Sequence, residues 1–298
     1  MNYAADSRMI TASIVTYKHH FLDIEPVLRS LLASPVDRIY IIDHSYDMMP
    51  DLEREINEFK SRVFTGEPAL AKKVAEGLQL IYISHQNNGY GGGHNVALRE
   101  AIRLGAKYHL VVNPDIWFGP RVIPALAQYM DSHEDVAQMM PKVLYPNGDV
   151  QRLAKLLPSP MDIFGRFCLP RFIIDKRNKR FELVQSGFKM TLNVPYLSGC
   201  FMFFRVSAMQ EINLFDEHFF MYAEDIDITR RLHQKYKTLY YPDFLVYHKF
   251  SRKSHRSLRL FLVHVRNIIL YFNKWGWFQD EERNKFNEDV LLQINENI

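Results

Sequence analysis

The hydrophobic pattern changes period several times along the first third of the chain. Residues 9–16 (MITASIVT) form a short, apolar, β-branched run and predict a buried first strand. Residues 21–32 switch to helical spacing, with Ile24, Leu28, Leu31 and Leu32 on one side. Residues 38–42 return to a strand pattern that ends in Asp43-His44-Ser45, and residues 78–84 read as a third strand. A glycine-rich turn over 85–95 is followed by a helix over 96–104 and a fourth strand over 108–112, which runs into Asn113-Pro114-Asp115. Strands alternating with helices predict an α/β fold, a mostly parallel central sheet flanked by helices. Such folds bind ligands beyond the carboxyl ends of their strands. Asp43, Asn87 and Asp115 all fall at that edge.

The pattern weakens over residues 150–191, where Pro158, Pro160 and Pro170 occur and a basic stretch, 175–180 (DKRNKR), is expected to be a solvated loop. An apolar strand over 196–206 and a helix over 225–235 follow. Near the C-terminus Phe261, Val265, Ile268, Phe272 and Trp275 recur at helical spacing. No Asp or Glu occurs between Phe244 and Gln279, while Lys249, Arg252, Lys253, Arg256, Arg259, Arg266 and Lys274 all do. A basic amphipathic helix of this kind can lie on an anionic bilayer or pack its apolar side on the rest of the protein. Both readings stay open.

Composition narrows the class. The chain has 298 residues, 47% hydrophobic and 24% charged, enough for one large α/β domain with a helical extension. A net charge of +3 is too small to argue for nucleic acid as a partner. No run of about 18 uncharged apolar residues appears, which argues against a spanning helix. The N-terminal residues lack a long apolar secretory core. Cys168 and Cys200 have apolar or aromatic neighbours and no CxxC spacing, so buried free thiols in a reducing compartment are expected. These features point to a cytoplasmic protein, at most peripheral on the inner face of the membrane.

Four segments carry chemistry. A carboxylate at Asp115, just after an apolar strand, suits Mg²⁺ or Mn²⁺ shared with a diphosphate, although Asn-Pro-Asp is also an ordinary turn. The segment 85–95 (HQNNGYGGGHN) lets backbone approach a ligand, and a following helix N-terminus favours an anion. It is not the GxGxxG dinucleotide fingerprint, because His94 stands where the third glycine is required. Residues 215–227 (FDEHFFMYAEDID) lead into an acidic cluster at a helix start; capping explains one acid, and a general base explains the cluster better. His248 follows the apolar run 244–247 and could join Asp115 in a divalent site as a neutral imidazole.

In this order the segments resemble glycosyltransferase family 2, of the Rossmann-like GT-A fold, and particularly its rhamnosyltransferase-like members. Asn87, Gly89, Gly92, Gly93 and Asn95 match its N-x-G-x-x-G-G-x-N segment, and Asn113-Pro114-Asp115 takes the place of its D-x-D. Ser198-Gly199-Cys200 resembles its S-G-A, and residues 215–227 resemble its F-D-E…E-D-x-D. Asn113 replaces the first acid of D-x-D, and His44 stands where the family often has Asn.

The resemblance implies a GT-A catalytic domain over residues 1–250, its nucleotide-sugar half about 1–117 and its acceptor half about 118–250. Residues 251–298 would form a basic amphipathic helical extension. Thr16, Tyr17 and Asp43 would line the base and ribose, and Asn87 to Asn95 the nucleotide or diphosphate, with Asn113 beside them. Asp115 and His248 would hold the divalent metal, and Gly199 would give the sugar room. Asp225 is the implied base, with Glu224 its rival and Asp227 supporting. The implied reaction is inverting transfer of a sugar, rhamnose favoured, from a nucleotide-diphosphate donor to a glycan or lipid-linked glycan acceptor. Its setting would be cell-surface polysaccharide synthesis, with an anionic membrane surface as a further partner. Two alternatives are an inactive sugar-nucleotide or glycan-binding subunit, and a sugar nucleotidyltransferase. The latter expects glycines and basic residues beside the first strand, where residues 16–20 (TYKHH) have no glycine.

Overall fold

The computed structural model describes residues 8–45, 48–165, 169–249 and 258–296. Cys168, Arg252, Lys253 and Arg256 lie outside the described residues, as does the side chain of Arg259. The strands are β1 (Ile10–Thr16), β2 (Arg38–Asp43), β3 (Gln79–Ser84), β4 (Tyr108–Val112), β5 (Ile116–Phe118), β6 (Val136–Leu144), β7 (Ala154–Lys155), β8 (Leu192–Asn193), β9 (Tyr196–Leu197), β10 (Phe201–Arg205) and β11 (Lys237–His248). The helices are α1 (Phe21–Ala33), α2 (Asp51–Gly66), α3 (Pro68–Ala75), α4 (Gly89–Arg103), α5 (Val122–Ser132), α6 (Pro160–Phe164), α7 (Arg171–Phe181), α8 (Val206–Glu211), α9 (Glu224–His233), α10 (Leu258–Trp275) and α11 (Glu281–Asn295).

The main sheet runs β3-β2-β1-β4-β10-β6-β11-β5, with β8 added on β11. Its first half is parallel: β1 pairs in register with both β2 and β4, and β2 with β3. The apolar runs recognised in the sequence form this half; β1, β2 and β4 are buried on both faces as parallel strands are, and the edge strand β3 is partly exposed. The second half is mixed, since β10 runs antiparallel to β4 and β6 while β11 is parallel to β6. Strand order reverses direction between β1 and β4, and the open α/β rule puts a ligand crevice at that switch.

Three expectations change. The glycine segment is not a turn, because α4 begins at Gly89 and runs through it. The basic stretch 175–180 lies inside helix α7, whose residues are all exposed or half-buried. The strand expected over 196–206 is broken into β9 and β10 by Ser198-Gly199-Cys200. Helices α10 and α11 close on the body of the molecule: Ile268, Tyr271 and Phe272 pack with Phe219, Ala223 and Ile226, and Val290 and Ile294 join the main core. The apolar face expected on α10 is therefore divided, with Ile268 and Phe272 buried, Val265 and Trp275 half-buried and Phe261 exposed. Among the described residues no helix is long and apolar enough to cross a membrane.

Candidate active site

A cleft of about 530 Å³ opens at the carboxyl ends of β1, β2 and β4. Thr16, Tyr17, Asn87, Gly89, Asn113, Asp115 and His248 line it, residues drawn from opposite ends of the sequence. His19, His44, Tyr90, Phe220, Met221, Leu260 and Val263 complete much of the wall, and none of them was singled out as a site residue from sequence.

Asp43 stands behind this wall. Its buried carboxylate accepts hydrogen bonds from Thr16 Oγ1 (2.9 Å), Tyr82 OH (2.8 Å), and the Ser45 amide and hydroxyl (3.0 and 2.7 Å). Three of these donors fall on Oδ1 and one on Oδ2, so Asp43 organises the β1 and β2 ends. Ser45 Oγ in turn accepts from the Lys18 amide (2.7 Å), fixing the turn after β1.

The N-terminus of α4 faces the cleft through Gly89 and Tyr90. Gly89 has a φ of +89°, and a Cβ there would meet the Phe220 carbonyl oxygen at 2.3 Å. At Gly93 a Cβ would fall 2.7 Å from the His44 ring. Both glycines thus allow close packing at this helix end, where the Gly89 amide donates to Asn87 Oδ1 (3.1 Å) and the Tyr90 amide to the Phe220 carbonyl (2.9 Å). Gly92, tight against Asn88, and Gly93 lie behind the wall. Asn95 faces the other way: its side chain bonds the Phe215 backbone and Glu217 and ties α4 to residues 215–217.

At the cleft floor His248 Nε2 lies 3.1 Å from Asp115 Oδ1. The amide of Gln151 is oriented by its Nε2, which donates to the carbonyls of His248 (2.8 Å) and Leu144 (3.4 Å). Its Oε1 therefore faces His248 Nδ1 at 2.9 Å, and Nδ1 must carry a proton. A neutral His248 then turns a lone pair at Nε2 towards a carboxylate oxygen. Two acceptors in that relation require a cation, either a proton on Nε2 or a metal between them. Burial acts to raise the Asp115 pKa, but the hydrogen bond and charge of His248 outweigh it and hold the carboxyl below its ordinary value. The donor set, one carboxylate and one oriented imidazole, fits a divalent ion completed by phosphate oxygens.

Asp225 and Glu224 start α9, off the cleft wall. Asp225 accepts from the Gly199 amide (3.0 Å) and the Ile226 amide (2.9 Å), while Tyr90 OH donates to the Gly199 carbonyl (2.5 Å). Gly199 is thus the link between cleft and acid, and a Cβ there would press on Asp225 and Tyr90 at 3.3 and 3.4 Å. Burial raises the pKa of both acids, and the Asp225 charge raises Glu224 further. Amide donors and the Lys155 charge act the other way on Asp225. The pair accordingly keeps a proton on Glu224 and a negative charge on Asp225 around neutrality. The Lys155 ammonium lies 5.6 Å over the Phe181 ring and 5.7 Å over Tyr196. Asp227 is fully buried and accepts from Arg231, Lys274 and Trp275, a supporting part. Cys200 is buried beside this centre, its thiol pushed up to about 12 by burial, and so unreactive.

The family described as Glycosyltransferase like family 2 matches residues 68–266. An N-acetylglucosaminyl-diphospho-decaprenol L-rhamnosyltransferase of Mycobacterium tuberculosis is 30% identical over 181 residues, 57% of this chain and 57% of that one. The chain thus spans little more than half the length of that relative. Rhamnosyltransferase WbbL of Escherichia coli K12 is 25% identical over 248 residues, 78% of this chain and 91% of its own. Among solved structures GalNAc-T7, crystallised with UDP, GalNAc and Mn²⁺, superposes with a TM-score of 0.59 at 13% identity, over 90% of this chain and 48% of that one. At that identity the likeness speaks for the fold alone.

Proposed function

The chain belongs to glycosyltransferase-like family 2, and on that premise we propose that it is an inverting glycosyltransferase. It moves a sugar, L-rhamnose by likeness to its relatives, from a nucleoside diphosphate to a lipid-linked glycan in cell-surface polysaccharide synthesis. The observation that supports this reading is the Asp115–His248 pair at the cleft, Oδ1 and Nε2 3.1 Å apart, a carboxylate and an imidazole that a divalent ion could share with a diphosphate. Thr16, Tyr17 and Asn87 wall the cleft that receives the nucleotide, and the N-terminus of α4 meets the diphosphate. Mg²⁺ or Mn²⁺ held by Asp115 and His248 supplies positive charge for the departing diphosphate when bound.

Asp225 takes the proton of the acceptor hydroxyl as that oxygen forms its bond to the anomeric carbon. The bond from that carbon to the diphosphate oxygen breaks on the opposite face, and its electron pair leaves with the nucleoside diphosphate. Tyr90 and Gly199 position Asp225, and Lys155 keeps it ionised. A lipid-linked acceptor puts the protein on the inner face of a membrane, and α10 borders the cleft through Leu260 and Val263.

A thermal-shift panel of nucleoside diphosphates, with and without Mn²⁺, tests the reading. A ligand at about 100 times its dissociation constant adds ~2.7 kcal/mol of stability. One nucleotide should stabilise the protein only with metal, and Asp115→Ala should abolish the effect. A flat response from folded protein would overturn the site and favour an inactive glycan-binding subunit.

A further inference from the structure

Helix α7, expected as a loop, carries Arg171, Lys176, Arg177, Lys179 and Arg180 against a single acid, Asp175. Arg177 turns inward and donates to Asp162 of α6 (2.7 Å). Lys176 and Lys179 follow Phe172 by four and seven residues, so the three share one helix face, and all three are exposed. Phe172 is 74% exposed, a large apolar side chain held out into solvent beside lysines.

Helix α10 has an unburied face as well. Leu258, Leu262, Val265 and Ile269 recur at four, three and four residues and form one stripe on the side away from Leu260 and Val263 of the cleft. Leu258 is 75% exposed and Leu262 58%. The two helices are neighbours: Ile174 and Arg177 of α7, Met161 of α6 and His264 of α10 surround one cavity of about 190 Å³. A lone exposed leucine needs no explanation, but a helical stripe of them beside a basic helix does.

We propose that α7 and α10 together form the surface that docks on an anionic bilayer, α10 inserting its apolar stripe and α7 supplying the cations and Phe172. The occupant is argued from charge and shape: an apolar stripe on one helix and exposed lysines on the neighbouring helix match acyl chains and anionic lipid headgroups. Docked this way, α10 stands between bilayer and cleft, with Leu260 and Val263 on the cleft side about one helix diameter, ~10 Å, from the inserted stripe. The inference rests on the membrane reading above and deepens it by naming α7, whose residues 171–180 do not line the cleft.

Co-sedimentation of the full chain with vesicles of phosphatidylcholine alone, or with about one-third phosphatidylglycerol, separates the two claims. The wild type should bind the anionic vesicles, less so at high salt. Lys176→Glu with Lys179→Glu should weaken that binding about tenfold or more, and Phe172→Ser should weaken it with little change in salt dependence. Unchanged transfer to a water-soluble acceptor analogue and unchanged circular dichroism show that these variants remain folded. Wild-type binding that both α7 variants retain would overturn the role of α7 while leaving the membrane reading intact. Failure of the wild type to bind either vesicle would overturn both.

Discussion

At the scale of single residues, the acidic pair and the histidine support make separate predictions. Asp225→Asn removes the ionised acceptor for a proton and should lower turnover by ~10²–10⁴-fold while nucleotide binding persists. Glu224→Gln replaces a protonated acid by a neutral amide of the same shape, and should cost less than about tenfold. Steady-state rates alongside nucleotide titration check both; equal losses in the two variants would refute the assignment. Burial raises Asp225, and the reaction needs its ionised form. Activity should therefore rise with pH through a limb above the ordinary carboxylate range and collapse below it. Gln151→Leu removes the acceptor that holds the Nδ1 proton of His248. Its Mn²⁺ affinity, followed by electron paramagnetic resonance with a nucleoside diphosphate present, should fall ~10–100-fold. Affinity equal to wild type would show that Gln151 does not orient the ligand. Asp115, His248 and Asp225 could be read from local sequence because each follows a strand or opens a helix. Gln151, Tyr90 and Lys155 could not, since Gln151 meets His248 across 97 residues and Tyr90 meets Gly199 across 109.

At the scale of elements, β1, α1, β2, β3 and β4 were legible because period and burial agree along each of them. Helix α4 defied its local propensity, since each glycine disfavours helix by ~1 kcal/mol. Contacts with Phe220, Phe215 and His44 demand those glycines and outweigh the propensity. Strand β6 went unread because VAQMMPKVL is poor in β-branched residues and contains Pro141; it lies beside a register shift in β11 at Tyr241/Leu245. Helix α7 was hidden by Pro170 just before it and by its charge, although Lys and Arg are good helix formers. The C-terminal helices are fastened to α9 by Arg230, whose buried guanidinium bonds both oxygens of Asp280 (2.7 and 2.8 Å) and stacks on Trp275 at 4.1 Å. Asp280→Ala combined with Glu282→Ala strands that charge, which Glu282 also holds (2.9 Å), and should cost about 3–5 kcal/mol in urea unfolding. Arg230→Met combined with Asp280→Leu should recover much of the loss. A cost under about 1 kcal/mol for the paired variant would mean the helices are held by packing alone.

For the whole molecule, pH should act through groups on both sides of the parallel sheet. Thr11 Oγ1 bonds His109 Nδ1 (2.7 Å), and Ser13 Oγ joins His109 Nε2 (2.8 Å) to His94 Nδ1 (2.7 Å), a buried polar chain across β1, β4 and α4. His44 packs beside it against Gly93. Burial lowers all three histidines, His44 to about 4, His109 to about 3 and His94 well below its ordinary value. Below about pH 6.5 the unfolded chain takes up protons that the native histidines refuse, so their contribution falls with pH by up to ~1.4 kcal/mol per unit for each. Glu224 and Asp225 run oppositely: their native pKa values are raised, so on acidification from neutrality the native state binds protons first and gains stability. Burial lowers His233 to about 4 as well, so four histidines against two acids leave up to about two net protons, and wild-type stability should fall by up to ~2.7 kcal/mol per unit between pH 6.5 and 5.5. In the Glu224→Gln, Asp225→Asn double variant the opposition is gone, and the slope should steepen by up to ~2.7 kcal/mol per unit. Urea unfolding at pH 7.0, 6.5, 6.0 and 5.5 reads both slopes. Parallel curves for the two proteins would show that the acidic pair does not hold its proton in the native state. The assignment of Glu224 as acid and Asp225 as base would then fail with it.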